Sequence, residues 1–229
     1  PERLDWAFDL AEKYSLGVLL DLHGAPGSQN GMDHSGKIGP RDWETNAEHR
    51  AQTIRVLESL AERYASRQNL IGLQFLNEPH WDMPLDVLKK FYLDAYPIVR
   101  KHLPKERVAI VIHDGFRPFE WKDFMTEPQY SNVILDTHMY QCFSPDDRTR
   151  NASQQIVEAA NKKATLDGIE NQLWAIVGEW SLALPPESYA GLDAWQRDIA
   201  KRAYGAAQLL SFDSSHGWFY WSYKVEDPN

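Results

Sequence analysis

The chain has 229 residues, with 24 Lys and Arg against 33 Asp and Glu and a formal net charge of −9. That length suits one domain, residues 1–229, able to bury its own core, and the single cysteine, Cys142, excludes a disulfide framework or a cysteine-ligated zinc site. The acidic balance argues against nucleic-acid and anionic-membrane partners, and neither a leader pattern nor an apolar run near the ~18 residues of a membrane span is visible.

The elements follow in chain order. A helix is predicted over 2–14, with Leu4, Phe8 and Ala11 on one stripe, then a buried strand over 17–22. A helix over 44–65 carries Ile54, Leu57, Ala61 and Tyr64, and a strand follows at 70–76. The helix over 85–102 places Leu85, Leu88, Tyr92, Ala95 and Val99 together, with Pro97 a point of kink or break. Strands are expected at 107–112, 132–137, 173–178 and 217–222, with helices over 153–165 and 188–211, the latter through Trp195, Ile199, Ala203 and Ala206. Trp6 and Trp195 are read as packing helix to sheet, and Trp180 as either core or pocket lining. Near-continuous Val, Ile and Leu runs alternating with helices imply a parallel sheet covered on both faces.

The residues after each run choose the architecture. They read Asp21-Leu-His23, Asn77-Glu-Pro79, His113-Asp114, His138-Met-Tyr140, Glu179-Trp180 and Trp221-Ser222. Polar groups at the C-terminal ends of several strands are the pattern of a (β/α)-barrel, whereas a doubly wound sheet concentrates its signal in a Gly-rich turn, which is missing here. Glu78 and Glu179 each close a buried run, where an ionised glutamate is costly unless it is paired or at work. Paired carboxylates of this kind are the minimal equipment for glycoside hydrolysis. Three histidines on one face, His23, His113 and His138, would also suit a metal-dependent hydrolase, but no His-x-His or carboxylate cluster supports it, so no metal and no cofactor are expected. His113 fits a structural role beside Asp114 as well as a ligand role.

Together these segments resemble glycoside hydrolase family 5, of the clan of (β/α)8 retaining glycosidases, and most closely its exo-β-1,3-glucanase branch. The resemblance rests on Asp21-Leu-His-Gly-Ala-Pro-Gly-Ser-Gln-Asn-Gly31, Leu76-Asn-Glu-Pro79, Ile112-His-Asp-Gly-Phe116, His138-Met-Tyr-Gln-Cys-Phe143, Gly178-Glu-Trp-Ser181 and Gly217-Trp-Phe-Tyr-Trp-Ser-Tyr-Lys224. It implies Glu78 as acid/base and Glu179 as nucleophile, with Asn77 on the sugar 2-OH and Tyr140 donating a hydrogen bond to Glu179. It also implies His23 and His138 on sugar hydroxyls, Trp221 as the platform beneath the sugar, and Phe116 with Phe143 as an aromatic clamp for the next one.

Aligned on these motifs, the six strands correspond to the family's strands three to eight, an incomplete TIM-barrel-type fold. The first two strands and the last helix lack counterparts, including the strand that supplies an arginine beside the nucleophile. Both outer strands would then be open edges, which predicts a homo-oligomer or a companion segment covering them. The implied activity is retaining hydrolysis of β-glucosidic bonds in β-glucans or β-glucosides, with transglycosylation open. The alternatives are an endo-β-1,4-glucanase or mannanase on the same scaffold, or a catalytically weak sugar-binding barrel. Secretion is the habit of such enzymes.

Overall fold

The computed structural model describes residues 2–171 and 173–224. Its strands are β1 (Val18–Asp21), β2 (Leu70–Gln74), β3 (Ala109–His113), β4 (Val133–His138), β5 (Ala175–Trp180) and β6 (Trp218–Tyr220). They form one sheet in chain order. The β1–β2, β2–β3 and β5–β6 pairs are parallel, with Leu20 opposite Leu73, Leu73 opposite Ile110 and Val177 opposite Trp218. A doubly wound sheet would reverse its order at a switch point. The unbroken order is that of a (β/α)-barrel sheet, here of six strands. β3, β4 and β5 run one or two residues past their predicted ends, so His113, His138 and Glu179 lie within strands rather than after them.

The chain divides into two compact units, residues 1–135 and 136–229. In the first, α2 (Ala47–Tyr64) starts on the Asn46 side chain, which accepts the Glu48 N–H, and buries Thr53, Leu57, Ala61 and Tyr64. That three-and-four spacing is one helical face, and each large side chain contributes about 1.5–3 kcal/mol on burial. α3 (Leu85–Arg100) buries Leu88, Tyr92, Ala95 and Val99 as expected. Pro97 does not break it: the residue is exposed near the C-terminal end, where water can serve the carbonyl it leaves unpaired. The Tyr92 hydroxyl donates to the His113 carbonyl at 3.0 Å and so ties α3 to the end of β3.

α1 (Glu2–Lys13) departs from its expected stripe. It buries only Phe8, stacked on Tyr64 with centroids 4.4 Å apart. Its other attachments are polar: Arg63 on Asp5, which holds that carboxyl below its usual range, and Arg67 on Asp9 at 2.6 Å. Trp6 is 64% exposed and packs nothing to the sheet, contrary to expectation.

In the second unit, α4 (Pro145–Thr149), α5 (Ala152–Glu170) and α6 (Ala194–Phe212) all begin with capping boxes, on Ser144/Asp147, Asn151/Gln154 and Asp193/Gln196. α6 corrects a second expectation. Its buried face is Tyr204, Gly205, Gln208, Ser211 and Phe212, while Trp195 is 72% exposed and Ile199 also faces solvent. Hydropathy misplaced the face because part of it is polar and hydrogen-bonded. Gln208 donates to the Ser181 carbonyl at 3.1 Å and Ser211 to the Ala159 carbonyl at 2.7 Å. Gly205 is small because a Cβ there would stand 2.9 Å from Leu182. Trp180 is core, ringed edge-on by Phe212, Trp218 and Tyr220 at 5.0–5.5 Å. Among the described residues, no helix is long and apolar enough to cross a membrane.

Candidate active site

The first unit brings the ends of β1, β2 and β3 together through the loop that follows β1. Period-two geometry puts Asp21 and His23 on one side of the chain, and the Asp21 carboxylate meets His23 Nδ1 at 2.7 Å. Gln29, wholly buried, donates to the His23 carbonyl at 3.0 Å and to the Asn77 carbonyl at 2.8 Å, stapling β1 to β2 beyond their last pairs. Asn30 donates to the Glu78 carbonyl at 2.9 Å. These two amides hold the Asn77-Glu78 peptide from outside the sheet.

They hold it in an unusual shape. Glu78 has φ of +38°, a left-handed conformation that a non-glycine residue adopts only when its surroundings impose it, and such residues cluster at working sites. Its carboxyl is largely buried and lies 3.0 Å from His34 Nε2. Asn77 is buried, and its Nδ2 has no hydrogen-bond partner among the described residues. His113 is fully buried, accepts the Gly115 N–H on Nδ1 at 2.9 Å, and places a ring nitrogen within 4.8 Å of a Glu78 carboxylate oxygen. It is therefore anchored through Nδ1 and close to Glu78. Phe116, also at positive φ, is exposed beside the His113 ring.

The second unit builds a network around Glu179. The Tyr140 hydroxyl donates to Glu179 Oε2 at 2.7 Å, the bond the family resemblance implied. His138 Nδ1 stands 3.6 Å from the same oxygen, and its Nε2 is 3.2 Å from Asp136 Oδ2. Asp136 also accepts the Gly178 N–H at 2.7 Å. One carboxylate thus orients both the histidine and the backbone beside Glu179. The Tyr140 contact aims the Glu179 carboxyl group. Phe143 is exposed and meets Tyr140 edge-on. Trp221 is 49% exposed, precedes a cis peptide to Ser222, and is fixed by its N–H to the Trp180 carbonyl at 2.8 Å. The Cys142 thiol is pushed up by burial, which leaves it a poor nucleophile.

Sequence reasoning missed Asp21, Gln29, Asn30, His34 and Asp136. The repeated Asp-x-His, at 21–23 and 136–138, was a usable signal, since residues two apart in a strand share a face. The other three act across long sequence separations that no local pattern reports.

A strand order of this kind, with carboxylates, histidines and aromatics at the C-terminal strand ends, defines a (β/α)-barrel scaffold with its polar groups on the face that carries active sites in that fold. The sequence profile described as Cellulase (glycosyl hydrolase family 5) matches residues 2–227, and the chain belongs to that family. It is 35% identical to a glucan 1,3-beta-glucosidase of Blumeria graminis over 97% of this chain and 60% of the relative. It is 33% identical to one of Schwanniomyces occidentalis over 98% and 60%. The chain thus spans about 60% of the length of these relatives. Among solved structures it resembles a rutinosidase from Aspergillus niger, with a TM-score of 0.75 at 20% identity over 94% of this chain and 61% of that one. It also resembles the catalytic domain of a Thermobifida fusca endoglucanase, with a TM-score of 0.59 at 20% identity over 97% and 62%.

Proposed function

We propose that residues 1–229 act as one catalytic domain that hydrolyses β-glucosidic bonds with retention, on β-1,3-glucans or β-glucosides. The observation that carries this reading is the Tyr140–Glu179 hydrogen bond at 2.7 Å, with His138 and Asp136 behind it. A side chain so placed is an oriented carboxylate, which is what a nucleophile at the anomeric carbon must be. In the first half-reaction Glu78 gives its proton to the leaving oxygen while Glu179 attacks, forming a glycosyl ester. In the second, Glu78 takes a proton from water as that water displaces Glu179. Retention requires the two carboxyl groups about 5–5.5 Å apart.

In this reading the Asn77 Nδ2, without a partner among the described residues, takes the sugar 2-OH, His23 and His138 take other hydroxyls, and His113 backs Glu78. Trp221 offers an apolar ring face to the sugar, and Phe116 and Phe143 contact the next residue of the substrate. The names of the Blumeria and Schwanniomyces relatives favour a β-1,3-glucan over a β-1,4-linked polymer. The test is hydrolysis of an aryl β-glucoside and of laminarin, with the anomer followed by NMR. Release of the β-anomer by the wild type and its loss in Glu179→Gln support the reading; equal rates in both refute it.

The reading extends to the open edges. Trp218, Phe219 and Tyr220 of β6 are all exposed, an apolar strip that invites strand pairing. A second copy of the chain or a companion segment covers it in this account, so residues 1–229 alone should form an oligomer in light scattering or bind a hydrophobic dye; a clean monomer that binds no dye contradicts it.

A further inference from the structure

We propose that His34 is a positioning residue for Glu78, an imidazole locked in one tautomer so that its Nε2 lone pair faces the Glu78 carboxyl and favours the protonated, proton-donating form. The inference deepens the proposed reaction and rests on Glu78 being its acid.

The lock is Asn30, which is buried and whose amide orientation is settled by two backbone groups. Its Oδ1 accepts the Met32 N–H at 2.9 Å, and its Nδ2 donates to the Glu78 carbonyl at 2.9 Å. Reversing the amide would set oxygen against oxygen and N–H against N–H, so the orientation is fixed. The second N–H of that amide meets His34 Nε2 at 2.8 Å. Nε2 must therefore carry a lone pair, and the ring proton sits on Nδ1, which faces Asp33 Oδ1 at 3.6 Å.

The same Nε2 lies 3.0 Å from Glu78 Oε2. Two states of Glu78 can face it. A carboxylate would set an anionic oxygen against a lone pair; a carboxylic acid would donate its proton to Nε2, sharing the acceptor with Asn30. Only the second is attractive, and it is the state a general acid needs before the bond breaks. Once Glu78 has given up its proton, the same contact pulls it back towards protonation, which assists its turn as base in the second half-reaction.

Within residues 1–135, the titratable groups facing this pair are Asp33 on the same turn, His23, whose ring lies edge-on at 5.9 Å, Asp21 behind His23, and His113 beside Glu78. Asp33 is exposed to solvent and stands 3.6 Å from the His34 ring, beyond hydrogen-bond distance.

The decisive variant is His34→Phe, which keeps a flat ring and removes the acceptor. A structural role would slow all substrates alike, whereas loss of acid assistance shows only where the leaving group needs a proton. The kcat/KM for phenyl β-glucoside, which reports the first half-reaction alone, should fall about 10-fold or more, with kcat/KM for 2,4-dinitrophenyl β-glucoside changing less than about 2-fold. The alkaline limb of kcat/KM for the phenyl substrate should move about one pH unit lower. Equal losses on both substrates, or an unmoved limb, overturn the proposal; His34→Ala gives the same comparison where phenylalanine is not tolerated. A titration independent of turnover separates this from failure of the glycosidase reading. Carboxyl ¹³C NMR of Glu78, assigned with Glu78→Gln, should show protonation persisting to higher pH in the wild type than in His34→Phe. Identical titrations overturn the role of His34 whatever the activity.

Discussion

Gly178, immediately before Glu179, is the point in that residue's support most sensitive to a minimal change. A Cβ built there stands 2.2 Å from Asp136 Oδ1 and 2.4 Å from Oδ2. Ordinary carbon–oxygen contact needs about 1 Å more, so in Gly178→Ala the carboxylate must withdraw by roughly that much. Withdrawal breaks the 2.7 Å bond from the Gly178 N–H and loosens the 3.2 Å contact with His138. A hydrogen bond to a charged group is worth about 1.5–3 kcal/mol and overpacking adds about 1–3, so the variant should lose about 2.5–6 kcal/mol. Urea unfolding followed by circular dichroism measures the loss. The reasoning is specific to one contact, so a double-mutant cycle tests it: with Asp136→Ala in place the clash is gone, and adding Gly178→Ala should cost about 1 kcal/mol or less. Additive effects would show that the glycine is not there to admit Asp136.

Other expectations follow from the same contacts. Tyr140→Phe removes the hydroxyl at 2.7 Å from Glu179, and kcat on an aryl β-glucoside should drop about 10–100-fold with the fold unchanged by circular dichroism. Tyr204 is fully buried, its hydroxyl has no hydrogen-bond partner among the described residues, and burial raises its proton affinity far above the ordinary value of 10.0. Tyr204→Phe should therefore be neutral or stabilising by up to about 1 kcal/mol at pH 7. Because the folded state keeps this proton longer than the unfolded one, wild-type stability should decline as pH rises past 10.0, and the variant should decline less; parallel curves would refute this. Arg107 donates to the carbonyls of Arg67 at 2.7 Å, Leu70 at 3.2 Å and Ala65 at 2.7 Å, closing the turn between α2 and β2. Arg107→Ala should cost about 2–4 kcal/mol in urea unfolding, and a change under about 0.5 kcal/mol would contradict that role.

The sheet was legible because its strands are near-continuous apolar runs, and the alternation with helices then leaves few topologies. Their C-terminal ends were less so: polar His113, His138 and Glu179 read as the residues that stop a strand, yet backbone pairing carries the strand through them. Helix α6 shows the limit of hydropathy, since Gln208 and Ser211 are buried by hydrogen bonds that a periodicity count scores as exposed. The two glutamates stood out by position alone. What surrounds them did not, because Tyr140 meets Glu179 across 39 residues, and His34 meets Glu78 across a loop whose path no local signal dictates. The first of these came from the family's motifs; the second emerged only from the folded chain.

The central claim is that Glu179 forms a covalent bond to the sugar. Incubation with a 2-deoxy-2-fluoro-β-glucosyl fluoride slows turnover of that intermediate, and peptide mass spectrometry then finds the labelled residue. The account predicts a 2-deoxy-2-fluoroglucosyl adduct on Glu179 in the wild type and none in Glu179→Gln. A label on any other residue, or product formed with inversion and no adduct, would contradict it.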